Sequence, residues 1–79
     1  MVHELKIAPK FYEAIICGEK TFEVRKNDRY YRVGDTLMLR EFDGKEYTGR
    51  ICERKVIYIL SDSKYVKEGY LIMSLGEII

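Results

Sequence analysis

The sequence predicts a mostly β domain of the α+β kind: a small, partly open barrel of about five strands with one helix after the first strand. Apolar residues alternate with polar ones in several short, separate runs, which is the pattern of half-buried strands. One segment alone, opening on the chain's single proline, repeats its apolar residues at helical spacing. Size completes the case, because 79 residues spanning 1–79 make one domain and cannot divide a core between two.

Val2 to Ala8 sets Leu5 and Ile7 against Glu4 and Lys6, the mark of a strand with one buried face. His3 at its start is expected to be a surface or hydrogen-bonded residue rather than a catalyst. Pro9 suits the first turn of a helix, where its missing N–H costs nothing. Phe11, Ala14 and Ile15 then recur at helical spacing up to Gly18, and Tyr12 and Ile16 widen the stripe. A helix of two to three turns follows, lying over one end of the sheet or barrel. Ala8 offers no side-chain acceptor as a cap, so packing has to hold this helix.

Thr21 to Lys26 reads as a charged second strand, whose alternation puts Phe22 and Val24 on one face and Thr21, Glu23 and Arg25 on the other. The first face is expected to pack and the second to carry chemistry. Asn27-Asp28-Arg29 is a turn, and Tyr30 to Asp35 is a connection that ends in another turn at Gly34-Asp35. Thr36 to Phe42 alternates Leu37 and Leu39 with Met38 and Arg40 as a third strand, and Asp43-Gly44 marks a hairpin. The return strand, Tyr47 to Leu60, is long enough that it must bend or bulge. Its first half is polar on one side; its second half, Val56 to Leu60, is apolar on both and is expected to be buried on both faces, either in the middle of a sheet or closing a barrel. Ser61 to Gly69 is a polar loop with only Tyr65 and Val66 to anchor it, and Tyr70 to Leu75 is the last strand.

Composition narrows the function classes. There is no run of eighteen apolar residues, and Met1 to Glu4 lacks a basic segment leading into an apolar one, so the expected setting is the cytoplasm, with no membrane partner. Cys17 and Cys52 are isolated and share the chain with one histidine, a pattern that implies neither a zinc site nor a disulfide framework but reduced, partly buried thiols. No metal and no cofactor is implied. The net charge of +1 gives little whole-molecule attraction to a polyanion, yet from Lys20 to Arg32 five basic residues stand against two acidic ones. That local excess is a modest footprint for phosphate contact.

The corner between helix and second strand is the one stretch that reads as a site. Gly18 supplies the left-handed conformation that ends the helix, and so Lys20 is set into the corner beside Thr21, Glu23 and Arg25. A plain alternative is a solvated edge-strand face. For RNA or a nucleotide-like ligand, Lys20, Arg25 and Arg29 are the phosphate contacts and Glu23 an acceptor for a base amino group. Tyr30, Tyr31 and Tyr47 are available for stacking, with a core or rim position as the ordinary fate of each.

Gly18-Glu19-Lys20-Thr21-Phe22-Glu23-Val24-Arg25 resembles the G-x-K-[TS]-x-E-x-R signature of ASCH domains, members of the PUA-like superfamily, and Val33-Gly34-Asp35-Thr36-Leu37 resembles that family's second landmark. The likeness extends over nearly the whole chain, to small ASCH-like proteins of phages and bacteria. The resemblance implies a PUA-like β-barrel with an RNA-binding cleft between barrel and helix, lined here by Lys20, Thr21, Glu23 and Arg25. Some relatives are enzymes, one group hydrolysing N4-acetylcytidine as an amidohydrolase and another member cleaving single-stranded RNA. On that reading Lys20, Thr21 and Glu23 are the catalytic candidates. Here the sequence departs from the amidohydrolases, which carry a catalytic threonine at the position matching Glu23; their distant glutamate matches only Glu68 or Glu77, by position near the end. Binding without catalysis is therefore the favoured expectation, amidohydrolase the alternative, and docking to a host protein through Tyr30-Tyr31 a third.

Overall fold

The architecture is that of a computed structural model describing residues 1–78. Five strands and one helix follow in the order β1 (Val2–Ile7), α1 (Pro9–Ile16), β2 (Phe22–Lys26), β3 (Thr36–Phe42), β4 (Tyr47–Leu60) and β5 (Tyr70–Gly76). They form one sheet in the order β1-β3-β4-β5-β2, with β1 parallel to β3 and every other pair antiparallel. The sheet curls into a half-barrel, which brings its two edge strands, β1 and β2, back towards each other. No backbone ladder closes that seam. Arginine side chains span it instead: Arg25 Nη2 donates to the Lys6 carbonyl at 2.6 Å and Arg29 Nη1 to the Glu4 carbonyl at 3.1 Å.

The concave side holds the core. Alternation in β1 buries His3, Leu5 and Ile7, and in β3 it buries Leu37, Leu39 and Glu41. Leu37, Leu39, Val56 and Met73 are wholly inaccessible. The helix contributes Tyr12 and Ile15 to this cluster while Phe11 and Ile16 stay about half exposed, so the buried stripe is narrower than the spacing predicts. Gly18, at φ +85°, takes the left-handed turn expected of it, and the Lys20 amide closes back on the Ala14 carbonyl at 2.9 Å.

Two strands depart from expectation. In β2 the period is as predicted but the faces are exchanged: Glu23 is buried and Arg25 half-buried, while Phe22 and Val24 are 44% and 49% exposed. The cause is register with β5, because Glu23 lies opposite Met73 and Arg25 opposite Leu71. Directly opposed residues share a face, and Met73 and Leu71 face the core. In β4 the apolar second half is not buried on both faces. Val56 is buried, but Ile57 and Tyr58 are at least half exposed. A register shift between Val56 and Tyr58 supplies the expected bulge, and among the described residues no second layer covers the outer face of the sheet there, which leaves Ile57 and Tyr58 exposed. The strand lies in the middle of the sheet, third of five, the first of the two places expected for it. In the 61–69 loop Val66 is the anchor, being buried, and Tyr65 is 73% exposed. The two thiols differ as well: Cys17 is exposed at the helix end, and Cys52 is buried in the core, where burial pushes its thiol up.

His3 is buried and hydrogen-bonded. Its Nε2 meets Asp35 Oδ2 at 2.7 Å and its ring lies 4.7 Å from that of Tyr31. Burial alone would raise the Asp35 carboxyl, but donation from His3, the Arg32 amide and the Met1 ammonium outweighs it and holds the group below its usual range. A carboxyl depressed in the folded state stabilises fully above its unfolded value, about 3.9, and loses that contribution as pH falls through the folded value. Urea midpoints taken from pH 7 down to pH 2 are therefore expected to fall below about pH 4. Asp35→Asn should flatten part of that fall; an unchanged acid limb would show that Asp35 does not contribute to it.

Candidate functional site

The helix-to-strand corner is a real concavity. A cavity of about 420 Å³ opens between α1, the end of β1 and β2, lined by Phe11, Lys20, Phe22, Glu23, Val24 and Arg25. Glu23 is its buried charge, with a side chain only 5% exposed. Lys20 Nζ donates to Glu23 Oε1 at 2.5 Å and to the Phe22 carbonyl at 2.6 Å, and Arg25 Nε donates to Glu23 Oε2 at 2.8 Å. One carboxylate thus holds both cations. Lys20 also sits over the rings of Phe11 and Phe22, at 5.5 and 4.9 Å from their centroids. Lys20, Arg25 and Glu23 together carry one net positive charge beside an aromatic wall, and Lys6 adds a further cation to the lining.

The other sequence-derived candidates are scattered. Thr21 is exposed and does not line the cavity; its carbonyl accepts from the Leu75 amide at 2.9 Å. Arg29 lies further along the seam on the Glu4 carbonyl. Tyr30 is 88% exposed, but Tyr31 is 9% exposed and packs in the core, so the expected Tyr30-Tyr31 patch reduces to Tyr30. Burial also raises the Tyr31 hydroxyl above its usual range. Tyr47 is occupied by neighbours, edge-on to Phe42 with the Arg40 guanidinium 3.8 Å from its centroid. Neither Glu68 nor Glu77 lines the corner. Among the described residues no group of three or more His, Cys, Asp or Glu is placed to hold a metal ion, and no helix is long and apolar enough to cross a membrane.

A third buried carboxylate, beside Glu23 and Asp35, escaped the sequence reading. Glu41, 3% exposed, takes Arg50 Nε at 3.0 Å, Arg50 Nη2 at 2.8 Å and the Thr48 hydroxyl at 2.6 Å. Hydrogen bonds from Arg50 and then Thr48 hold its carboxyl below the usual range. Arg50 reaches on to Glu13 of the helix and covers the Tyr12 ring at 4.6 Å. This forked contact ties α1 to the β3–β4 hairpin and so fixes one wall of the corner. The available signal was that Thr48 and Arg50 share a face of β4 just across the hairpin from Glu41.

Comparison with known proteins adds a family. The profile of the family described as "Domain of unknown function (DUF3850)" matches residues 2–75. A relative from Escherichia phage P2, "Uncharacterized 12.9 kDa protein in GpA 3'region", is 35% identical over 79 residues, covering 99% of this chain and 72% of its own. Neither description speaks of ASCH or PUA-like domains.

Proposed function

We propose that this chain, which belongs to the DUF3850 family, is a PUA-like barrel of the ASCH type that binds RNA or a nucleotide-like ligand in the corner cavity. The observation that carries this reading is Glu23: a carboxylate buried at the foot of a cavity, clamped by Lys20 and Arg25 and faced by aromatic rings. Two cations and a carboxylate brought together there cost desolvation that an apolar core would avoid. A flat, polar-edged base fits such a place, with its ring on Phe11 or Phe22 and its amino group on Glu23. Phosphate contact falls to the N–H groups of Lys20 and Arg25 not used by Glu23.

Lys20 is engaged by two acceptors, Glu23 and the Phe22 carbonyl, and so works as a donor here. That arrangement favours binding over an amidohydrolase, in which the same amine would act on a carbonyl. The test is binding of single-stranded RNA, followed by fluorescence anisotropy, across a salt series. Lys20→Ala and Arg25→Ala are each expected to weaken binding by about 1.5–3 kcal/mol, roughly ten- to a hundredfold, and to reduce the salt slope by about one. Affinity unchanged in both variants would overturn the proposal. Release of acetate from N4-acetylcytidine, lost in Lys20→Ala, would replace it with the enzymatic reading.

A further inference from the structure

The corner cavity continues past Arg25. A second hollow of about 230 Å³, lined by Leu5, Arg25, Lys26, Asp28, Arg29 and Tyr31, shares Arg25 with it. A third, of about 420 Å³, shares Asp28, Arg29 and Tyr31 with the second and ends at Tyr30. Together they follow the open β1–β2 seam from the end of the helix to the turn after β2. Phe22 to Lys26 alone covers about 13 Å at roughly 3.3 Å per residue, so one nucleotide cannot occupy both the cavity and the turn.

Chemistry along the seam is that of a polyanion track. Past the corner it carries Arg25, Lys26 and Arg29 against Asp28 alone. A guanidinium has five N–H donors; Arg25 uses two here, on Glu23 and the Lys6 carbonyl, and Arg29 uses one, on the Glu4 carbonyl. A peptide strand added to this edge would need those same carbonyls of β1, which the arginines already hold. At the far end Tyr30 presents its ring to solvent, 88% exposed, on a turn that the Asn27 amide fixes to the Gly69 carbonyl at 2.9 Å. Exposed aromatic rings beside a basic groove are the stacking platforms of single-strand binders.

We infer that the corner cavity and the seam form one continuous site for single-stranded RNA of two or more nucleotides. This rests on the corner reading above. One nucleotide occupies the cavity, the backbone crosses the spare donors of Arg25 and Arg29, and the next base stacks on Tyr30. The experiment compares a ribonucleoside monophosphate with a single-stranded RNA tetranucleotide, titrated against the full chain and against Tyr30→Ala. The side chain is exposed, so the variant is expected to unfold at the wild-type urea midpoint. The tetranucleotide is expected to bind at least tenfold more tightly than the monophosphate, and Tyr30→Ala to lose about five- to a hundredfold on the tetranucleotide only. Equal affinity of wild type for both ligands, or a tetranucleotide affinity untouched by Tyr30→Ala, overturns the seam and leaves the corner site standing. Failure of both ligands to bind overturns the corner reading and the seam with it.

Discussion

Glu23→Gln is expected to cost the domain about 2–3 kcal/mol of unfolding free energy, although glutamine has the same shape. The charge is what matters. Lys20 and Arg25 are drawn to one carboxylate from opposite sides, and their own side chains are only 15% and 24% exposed. Neutralising the carboxylate leaves two like charges facing one another across an amide whose oxygen can accept from one of them, while its NH2 can only donate and meets the other donor unpaired. Removing one partner of a fully buried pair costs about 3–5 kcal/mol; partial access of water to both cations reduces that here. For a chain this short the loss corresponds to a fall in Tm of roughly 10–20 °C. Urea denaturation with an unchanged m-value should report it as a shifted midpoint. Adding Lys20→Met to Glu23→Gln should recover part of the loss, because the uncompensated ammonium is then gone. A Glu23→Gln midpoint within about 0.5 kcal/mol of wild type would mean that the clamp does not hold the corner.

What could be read from the sequence was local, and what could not was decided by partners distant along the chain. The alternation of Leu5 and Ile7, the hairpin at Asp43-Gly44 and the end of the helix at Gly18 each depend on a few neighbouring residues, and each stands in the structure. Lys20, Glu23 and Arg25 could be grouped because they lie within six residues of one another. Which way they face could not, since period 2 is silent about the side that is buried. Register with Met73 and Leu71, some fifty residues away, decides it. The same holds for the pairing of β1 with β3, for His3 on Asp35 and for Glu41 on Arg50. Tyr31 looked like its neighbour Tyr30, and only the position of the His3 ring separates a core tyrosine from a solvent-facing one.

That exchange of faces in β2 makes Leu39→Ala and Val24→Thr an informative pair. Leu39 is fully buried in β3, between Leu5 of β1 and Cys52 of β4 in the ladder. Its truncation removes apolar contact and leaves a cavity that a curled sheet can only partly collapse, at about 2–5 kcal/mol. A domain of this length has about 4–12 kcal/mol in all on the usual per-residue scale of about 0.05–0.15 kcal/mol, so a large share of the native stability should go. Val24 is a β-branched residue on a strand that alternation alone would turn inward, yet it is about half exposed. Threonine keeps its branching and strand preference, and on a wet surface the added hydroxyl should change stability by no more than about 0.5 kcal/mol. Were Val24 packed in the core instead, the hydroxyl would be buried without a partner and the substitution would cost about 1–3 kcal/mol. Urea midpoints for the two variants thus measure which face of β2 is inside: a small effect of Val24→Thr beside a large one of Leu39→Ala places the charged face inward.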